Sequence, residues 1–227
     1  MSEIRRGDTR PYHHGDLRRA LIDAALDLVT EEQDWTFSLR EVARRAGVSH
    51  NAPYNHFSEK RDLLGAVAAA GFETLRERMQ GAALRAGDPR AAFIASGKAY
   101  VKMGVENPAL YRLMFGPALA AANGPAGRNL EGEADRPAEA RAAGARAKAV
   151  LDEIILRGAE TGAFAVSPDN KDNKKERAIA SLSAWSAVHG LTMLIIDDLA
   201  AQDLAIDTLV TRVLHIMLEG LVPRRGQ

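Results

Sequence analysis

Cysteine is absent from the 227 residues. That absence excludes disulfides, thiolate metal sites, a cysteine nucleophile and thiol-based redox sensing together. Aromatic side chains are scarce, at 5%. Neither sign of charge is in excess, since 30 basic side chains balance 30 acidic ones, so the chain lacks the strongly basic surface that coats nucleic acid indiscriminately. Any DNA binding must then use locally arranged charge. No run of eighteen uncharged apolar residues occurs, and Met1 to Tyr12 is polar and arginine-containing without an apolar signal core. The expectation is a chain that neither spans a membrane nor leaves by that route, compatible with a cytoplasmic setting. β-Branched alternating runs are missing too, which points away from a sheet. No Gly-rich loop follows a strand, and neither a nucleophile elbow nor a metal-binding helix motif occurs, so no enzyme and no cofactor is expected.

What is present is helical periodicity, in a chain 46% hydrophobic and 26% charged and long enough for one large or two modest domains. The reading is all-α, with about nine helices. The first runs from Asp16, as N-cap, to Glu32, with Leu17, Leu21, Ala24, Ala25 and Leu28 on one face and Asp23, Asp27 and Glu31 on the other. Ser38 and Glu41 form a capping box for a second helix that ends at Gly47. Ser49 caps a third, very short helix to about Phe57, with Pro53 in its first turn, and Ser58 caps a fourth to about Ala83. After Gly87-Asp88-Pro89, helices are expected over 90–105 and 108–116. Gly116 to Pro137 reads as a mobile loop, followed by helices over 138–160, 176–199 and 203–220. The expected division is an arm and helix-turn-helix domain over 1–62, a linking helix over 58–83, and a second domain over 84–222.

Residues 38–57 have the dimensions of a helix-turn-helix. Val42, Ala46, Val48 and Phe57 can face a core, leaving His50, Asn51, Tyr54, Asn55 and His56 outward, groups able to meet base edges and phosphates. The bland alternative is a solvated polar hairpin, but the charge is sorted. Residues 36–61 carry Arg40, Arg44, Arg45, Lys60 and Arg61 against Glu41 and Glu59, whereas residues 20–35 hold five acids and no base. One surface can meet phosphates while the acidic face of the first helix points away. Ser38 and Lys60 stand at helix starts, where free N–H groups favour an anion. Arg5, Arg6 and Arg10 form an arm for a minor groove, or a merely solubilising tail.

Tyr-His-His-Gly-Asp-Leu from Tyr12, the segment Ser38 to Ser49, and Ala52-Pro-Tyr-Asn-His-Phe-Ser-Glu-Lys-Arg-Asp-Leu-Leu64 together resemble the N-terminal domain of TetR/AcrR-type transcriptional regulators. The resemblance covers residues 12–75. It implies base contacts from Arg40, His50, Asn51, Ala52 and Tyr54, and phosphate contacts from Ser38, Tyr54, His56 and Lys60. Ser49 and Asn55 complete the candidate DNA-binding set, Asn55 standing where the family often has Arg. Trp185-Ser-Ala-Val-His189-Gly190, with Asn107-Pro108-Ala-Leu-Tyr111-Arg-Leu-Met-Phe115, resembles the C-terminal domain named for its Trp-x3-His-Gly signature.

The helix expected at 176–199 is apolar on nearly all sides, more than one interface explains. We expect Leu182, Trp185, His189, Met193 and Ile196 to look inward. A second stripe with Ala184, Val188, Leu191 and Ile195 would join Leu209, Val213, Ile216 and Met217 in a four-helix seam of a homodimer. Two reading heads about 34–36 Å apart would suit a palindromic operator in double-stranded DNA. Trp185, His189 and Met193, facing Phe93, Tyr100, Met103, Tyr111, Met114 and Phe115, would line either a small-molecule pocket or a filled core. The resemblance favours a pocket for an effector, with loop 116–137 as gate or idle surface. His13-His14 with Asp16, and Asp169 to Asn173, lack a defined metal geometry. The expected function is a ligand-responsive DNA-binding regulator, a repressor released by its effector. The alternatives are an activator, and a small-molecule-binding or catalytic helical protein that leaves no footprint on DNA.

Overall fold

A computed structural model describes residues 14–119, 136–166, 171–200 and 204–221. Among them the chain forms eight α-helices, α1 (His14–Glu32), α2 (Leu39–Arg45), α3 (Lys60–Leu84), α4 (Pro89–Glu106), α5 (Pro108–Phe115), α6 (Ala138–Glu160), α7 (Lys171–Ile196) and α8 (Ile206–Leu221), with two short 3-10 turns and no strand. The fold is all-α, as the periodicity requires. The arm with Arg5, Arg6 and Arg10, the bulk of the 116–137 loop and the polar run from Asp169 lie outside the described residues or their described side chains.

The caps explain where the helices begin, and correct several expectations. Ser38 caps α2, its Oγ accepting from the Glu41 N–H at 3.2 Å. The Glu41 carboxylate turns forward to Arg44 instead of back to Ser38, so only half of the capping box forms. Gly47 follows with φ of +69°, the left-handed conformation that releases the chain from α2. The third helix shrinks to a single 3-10 turn, Ala52–Asn55, without a side-chain cap, and Ser49 contributes only its carbonyl. α3 is capped by Glu59, not Ser58, and the Asp62 carboxylate accepts from the Glu59 N–H at 3.1 Å. α1 starts two residues before Asp16, and α7 reaches back to Lys171 through most of the expected polar break.

One continuous core runs from Leu17 in α1 to Leu218 in α8. Leu21, Val29, Phe37, Val42, Phe57 and Leu63 close the N-terminal bundle. α3 then leaves it and runs beside α6 in parallel register, Gly65 against Pro137 and Phe72 against Gly144. α4 lies along α7, with Tyr100 at His189 and Gly104 at Thr192. α5 packs on α1, α3 and α4 at once. Its Leu110 and Met114 fill the space left by Gly71 in α3, so α3 and α5 belong to both halves of the molecule.

Candidate nucleic-acid interface and internal cavity

The helix-turn-helix presents a narrow exposed strip. Ser38, Arg40, Ser49, His50, Asn51, Tyr54 and Asn55 are exposed, Tyr54 at 53% despite its large ring. Ala52 is not part of that strip. It is 8% exposed and packed into the core, because a 3-10 turn of one revolution places Ala52 and Pro53 inward while Asn51, Tyr54 and Asn55 face out. His56 and Lys60 are half-buried.

Of the five cations in this region, the structure uses three internally. Arg45 forms a two-armed ion pair with Glu31 and approaches Asp27, joining α2 to α1; its hydrogen bond holds the Glu31 carboxyl below its ordinary range. Arg44 pairs with Glu41 at 3.3 Å, and Arg61 donates to the Leu119 carbonyl. Arg40 stands exposed with no partner among the described residues. Lys60, in the first turn of α3, places Nζ 4.9 Å from the Phe37 ring centroid; burial lowers its pKa from the ordinary lysine value. Ser38, Arg40, Tyr54 and Lys60 therefore supply the surface chemistry, while Asp27 and Glu31 of α1 are engaged by Arg45.

The second site is a cavity of about 690 Å³ between α3, α4, α6 and α7, within the size range of small-molecule sites. Of the nine expected lining residues, Phe93, Tyr100, Phe115, Trp185 and His189 border it. Met103, Tyr111, Met114 and Met193 do not; the first three are wholly buried behind it. Much of the remaining wall comes from residues that sequence reasoning missed, Phe72, Leu75 and Met79 of α3 and a face of α6, and Ala184 and Val188 of α7, expected at the subunit seam, line it as well. On α6 the signal was legible in hindsight. Ala140, Gly144, Ala147 and Leu151 recur at i, i+4, i+7 and i+11, and side chains so small do not fill the space against α3 and α4.

At one end of the cavity four ring-bearing residues share polar groups. The Trp185 indole N–H donates to the Tyr100 oxygen at 3.2 Å. The Tyr100 and Tyr111 hydroxyls lie 2.9 Å apart, and Tyr111 Oη is 2.7 Å from His189 Nδ1. Phe115 packs on this knot, 4.7 Å from the Tyr111 ring and 4.9 Å from His189. Burial lowers the pKa of His189 and favours the neutral imidazole, so a Tyr111 O–H donated to Nδ1 leaves the proton on Nε2. Burial also pushes the Tyr100 hydroxyl up to about 12 and raises that of Tyr111. The signature Trp185-x3-His189 is thus the polar lid of one cavity end.

α7 reverses an expectation. Ala184, Val188 and Leu191 are buried within the protomer, not offered to a partner, and Ile195 is half-buried. The outward stripe is instead Ile179, Leu182, Ser186, Gly190 and Leu194, at 53% exposure for Leu182. The phase was off by about a third of a turn. On α8, Val210, Leu214 and Leu218 face in, while Leu209, Val213, Ile216 and Met217 are half-buried or exposed. Lys174–Ile196 is long and apolar enough to cross a membrane by length and composition alone; an inner stripe in the core plus an apolar outer stripe accounts for that character.

Residues 93–217 match the family described as the tetracyclin repressor-like C-terminal domain, and residues 21–67 match the N-terminal family of bacterial regulatory proteins of the tetR type. The chain belongs to the TetR family. It is a DNA-binding transcriptional regulator and not an enzyme. An uncharacterized HTH-type transcriptional regulator of Haemophilus influenzae is 44% identical over 70 residues, 30% of this chain and 34% of that relative. A protein of unknown function from Rhodococcus sp. RHA1 shares the fold at 28% identity and TM-score 0.72, covering 94% of this chain and 100% of its own. FadR of Bacillus halodurans, a fatty acid degradation regulator, superposes at 17% identity and TM-score 0.66 over 94% of this chain and all of its own. A TetR-family regulator from Marinobacter aquaeolei VT8 does so at 16% and 0.63, over 92% and 97%.

Proposed function

We propose that this regulator acts in the cytoplasm as a homodimeric repressor that holds a palindromic operator and releases it when a small molecule fills the cavity. The observation that carries this reading is that cavity and reading head share two helices. Phe72 of α3 and Phe115 of α5 border the cavity, while the first turn of α3 carries Lys60 and α5 rests on α1. A ligand that moves Phe115 changes the seat of the reading head, which is the differential contact that coupling between sites requires. Residues 1–62 then act as the DNA-binding domain and 84–222 as the effector and dimer domain, with α3 as the rigid link. Base contacts are assigned to Arg40, His50, Asn51 and Tyr54, and phosphate contacts to Ser38 and Lys60, with Ser49, Asn55 and His56 beside them.

The test is fluorescence anisotropy on the DNA flanking the regulator's own gene, across a salt series. Tyr54→Ala is expected to weaken binding by about 5- to 150-fold, the range for one base-directed contact. Lys60→Ala should weaken it uniformly and reduce the salt slope by about one. Unchanged affinity in both variants overturns the assignment of the reading surface.

A further inference from the structure

Among the described residues the buried polar side chains are Ser96, Ser181 and Thr192, and two of them are satisfied inside the protein. Ser181 Oγ donates to the Asp152 carboxylate. Thr192 Oγ1 donates to the Val188 carbonyl at 2.6 Å, the local bond that a hydroxyl inside a helix can make to the turn before it. Ser96, at 2% exposure, makes no hydrogen bond. A buried hydroxyl left in this way is unfavourable. Ser96 is also the one of the three that lines the cavity, where rotation about a single bond between staggered positions re-aims its oxygen.

Its place along the cavity is central. On α4 it lies three residues from Phe93 and four from Tyr100, about 4.5 and about 6 Å along the helix axis. Tyr100 stands at His189 and Gly104 at Thr192, and the same register sets Ser96 at the level of Trp185. On the Phe93 side the wall is apolar, with Met79 and Leu151. On the Tyr100 side it is aromatic, Phe115 lying between Phe72 and Trp185 with ring centroids at 5.1 and 6.4 Å. The cations at the border are already engaged: Lys148 by Asp152 at 2.8 Å, Arg136 by the carbonyls of Met114, Phe115 and Gly116, and Arg141 as well. The polar group in the wall that lacks a partner is therefore a neutral one.

Resting on the reading of this cavity as the effector site, we propose that it takes a largely apolar molecule with a neutral oxygen, a ketone or a secondary hydroxyl, between two apolar arms, the oxygen held by Ser96. One arm runs to Phe93, Met79 and Leu151, the other to the rings of Phe72, Phe115 and Trp185. A serine hydroxyl both donates and accepts, so a ketone takes its proton and a ligand hydroxyl completes either half. One placed polar group in an apolar wall fixes where along the cavity such a molecule sits.

The full chain carrying Trp35→Phe leaves Trp185 as its sole tryptophan, so quenching of its fluorescence reports occupancy. Diphenethyl ketone, its secondary alcohol and the parent hydrocarbon diphenylpentane present the same two arms with a carbonyl, a hydroxyl or no oxygen between them. Ser96→Ala in this background is expected to weaken the ketone and the alcohol by about 3- to 10-fold, the range for one neutral hydrogen bond, and to leave the hydrocarbon unchanged. Loss confined to the ketone or to the alcohol supports the inference and names the oxygen. The Tm of unliganded Ser96→Ala should not fall, because the hydroxyl has no bond in the protein to lose. Equal weakening of all three probes, or of none, overturns the assignment, as does a lower Tm, which would reveal a protein partner for the hydroxyl. Binding of none of the three overturns it too. The effector reading fails separately: a ketone or alcohol that binds through Ser96 yet leaves operator DNA bound in the anisotropy measurement keeps the oxygen site and removes its regulatory role.

Discussion

His189 sits where three rings and a hydroxyl converge, and its protonation ties the knot to pH. Burial places its folded pKa below the unfolded value of about 6.5, so below that pH the unfolded chain takes up the proton first. Stability from this group is fully present above about pH 6.5 and is lost as pH falls below it, with a slope of at most about 1.4 kcal/mol per pH unit for one proton. Tyr100 sets the other edge. Its hydroxyl titrates near 12 in the folded chain against 10 unfolded, so stability declines as pH rises above about 10, where the unfolded chain gives up its proton first. Urea unfolding across pH should show a shoulder on the acid side that His189→Gln removes. A His189→Gln profile parallel to the parent between pH 5 and 7 would show that the imidazole is not desolvated in this way.

At the scale of the helix, the N-terminal half of the molecule was readable because its signals are local. Ser38 and Gly47 bracket α2 through a side-chain cap and a positive φ, and both follow from residue type. Ser38→Ala should lower stability by about 1 kcal/mol, a fall in Tm of about 2–4 °C for a chain of this size, measured by thermal unfolding. An unchanged Tm would mean that the Oγ contact to Glu41 contributes nothing. The recognition turn was readable only in part. Ala52 entered the contact set only through the family resemblance, and the 3-10 turn in which it sits turns it into the core. On α7 the apolar stripes were visible but their phase was not, since Ala184 and Leu182 are equally apolar and only the neighbours on α4 and α6 decide which one faces in. The α6 wall escaped because its signal is smallness, and an alanine-rich face reads equally as helix propensity. Ser96 gave no sequence signal at all.

For the whole molecule, the outward stripes of α7 and α8 bear on how two reading heads are coupled. Ile179, Leu182 and Leu194 on α7 and Ile216 on α8, exposed at 68%, put apolar side chains in water on two adjoining helices, with Gly190 offering an open, side-chain-free approach between them. An apolar face built from two helices suits a second copy related by a two-fold axis, because the same stripes then complete a four-helix seam. The corrected stripe makes the prediction specific. Leu182→Glu with Ile216→Glu should yield a folded monomer by sedimentation, since both side chains lie outside the core, whereas a carboxylate at Ala184 or Val188 would unfold the protomer. Losing the link between the heads removes the avidity of two half-sites, so operator binding should weaken by about 10²–10⁴-fold, while a cavity ligand still quenches Trp185, because every lining residue belongs to one protomer. A double variant that still sediments as a dimer would place the subunit contact elsewhere on the surface.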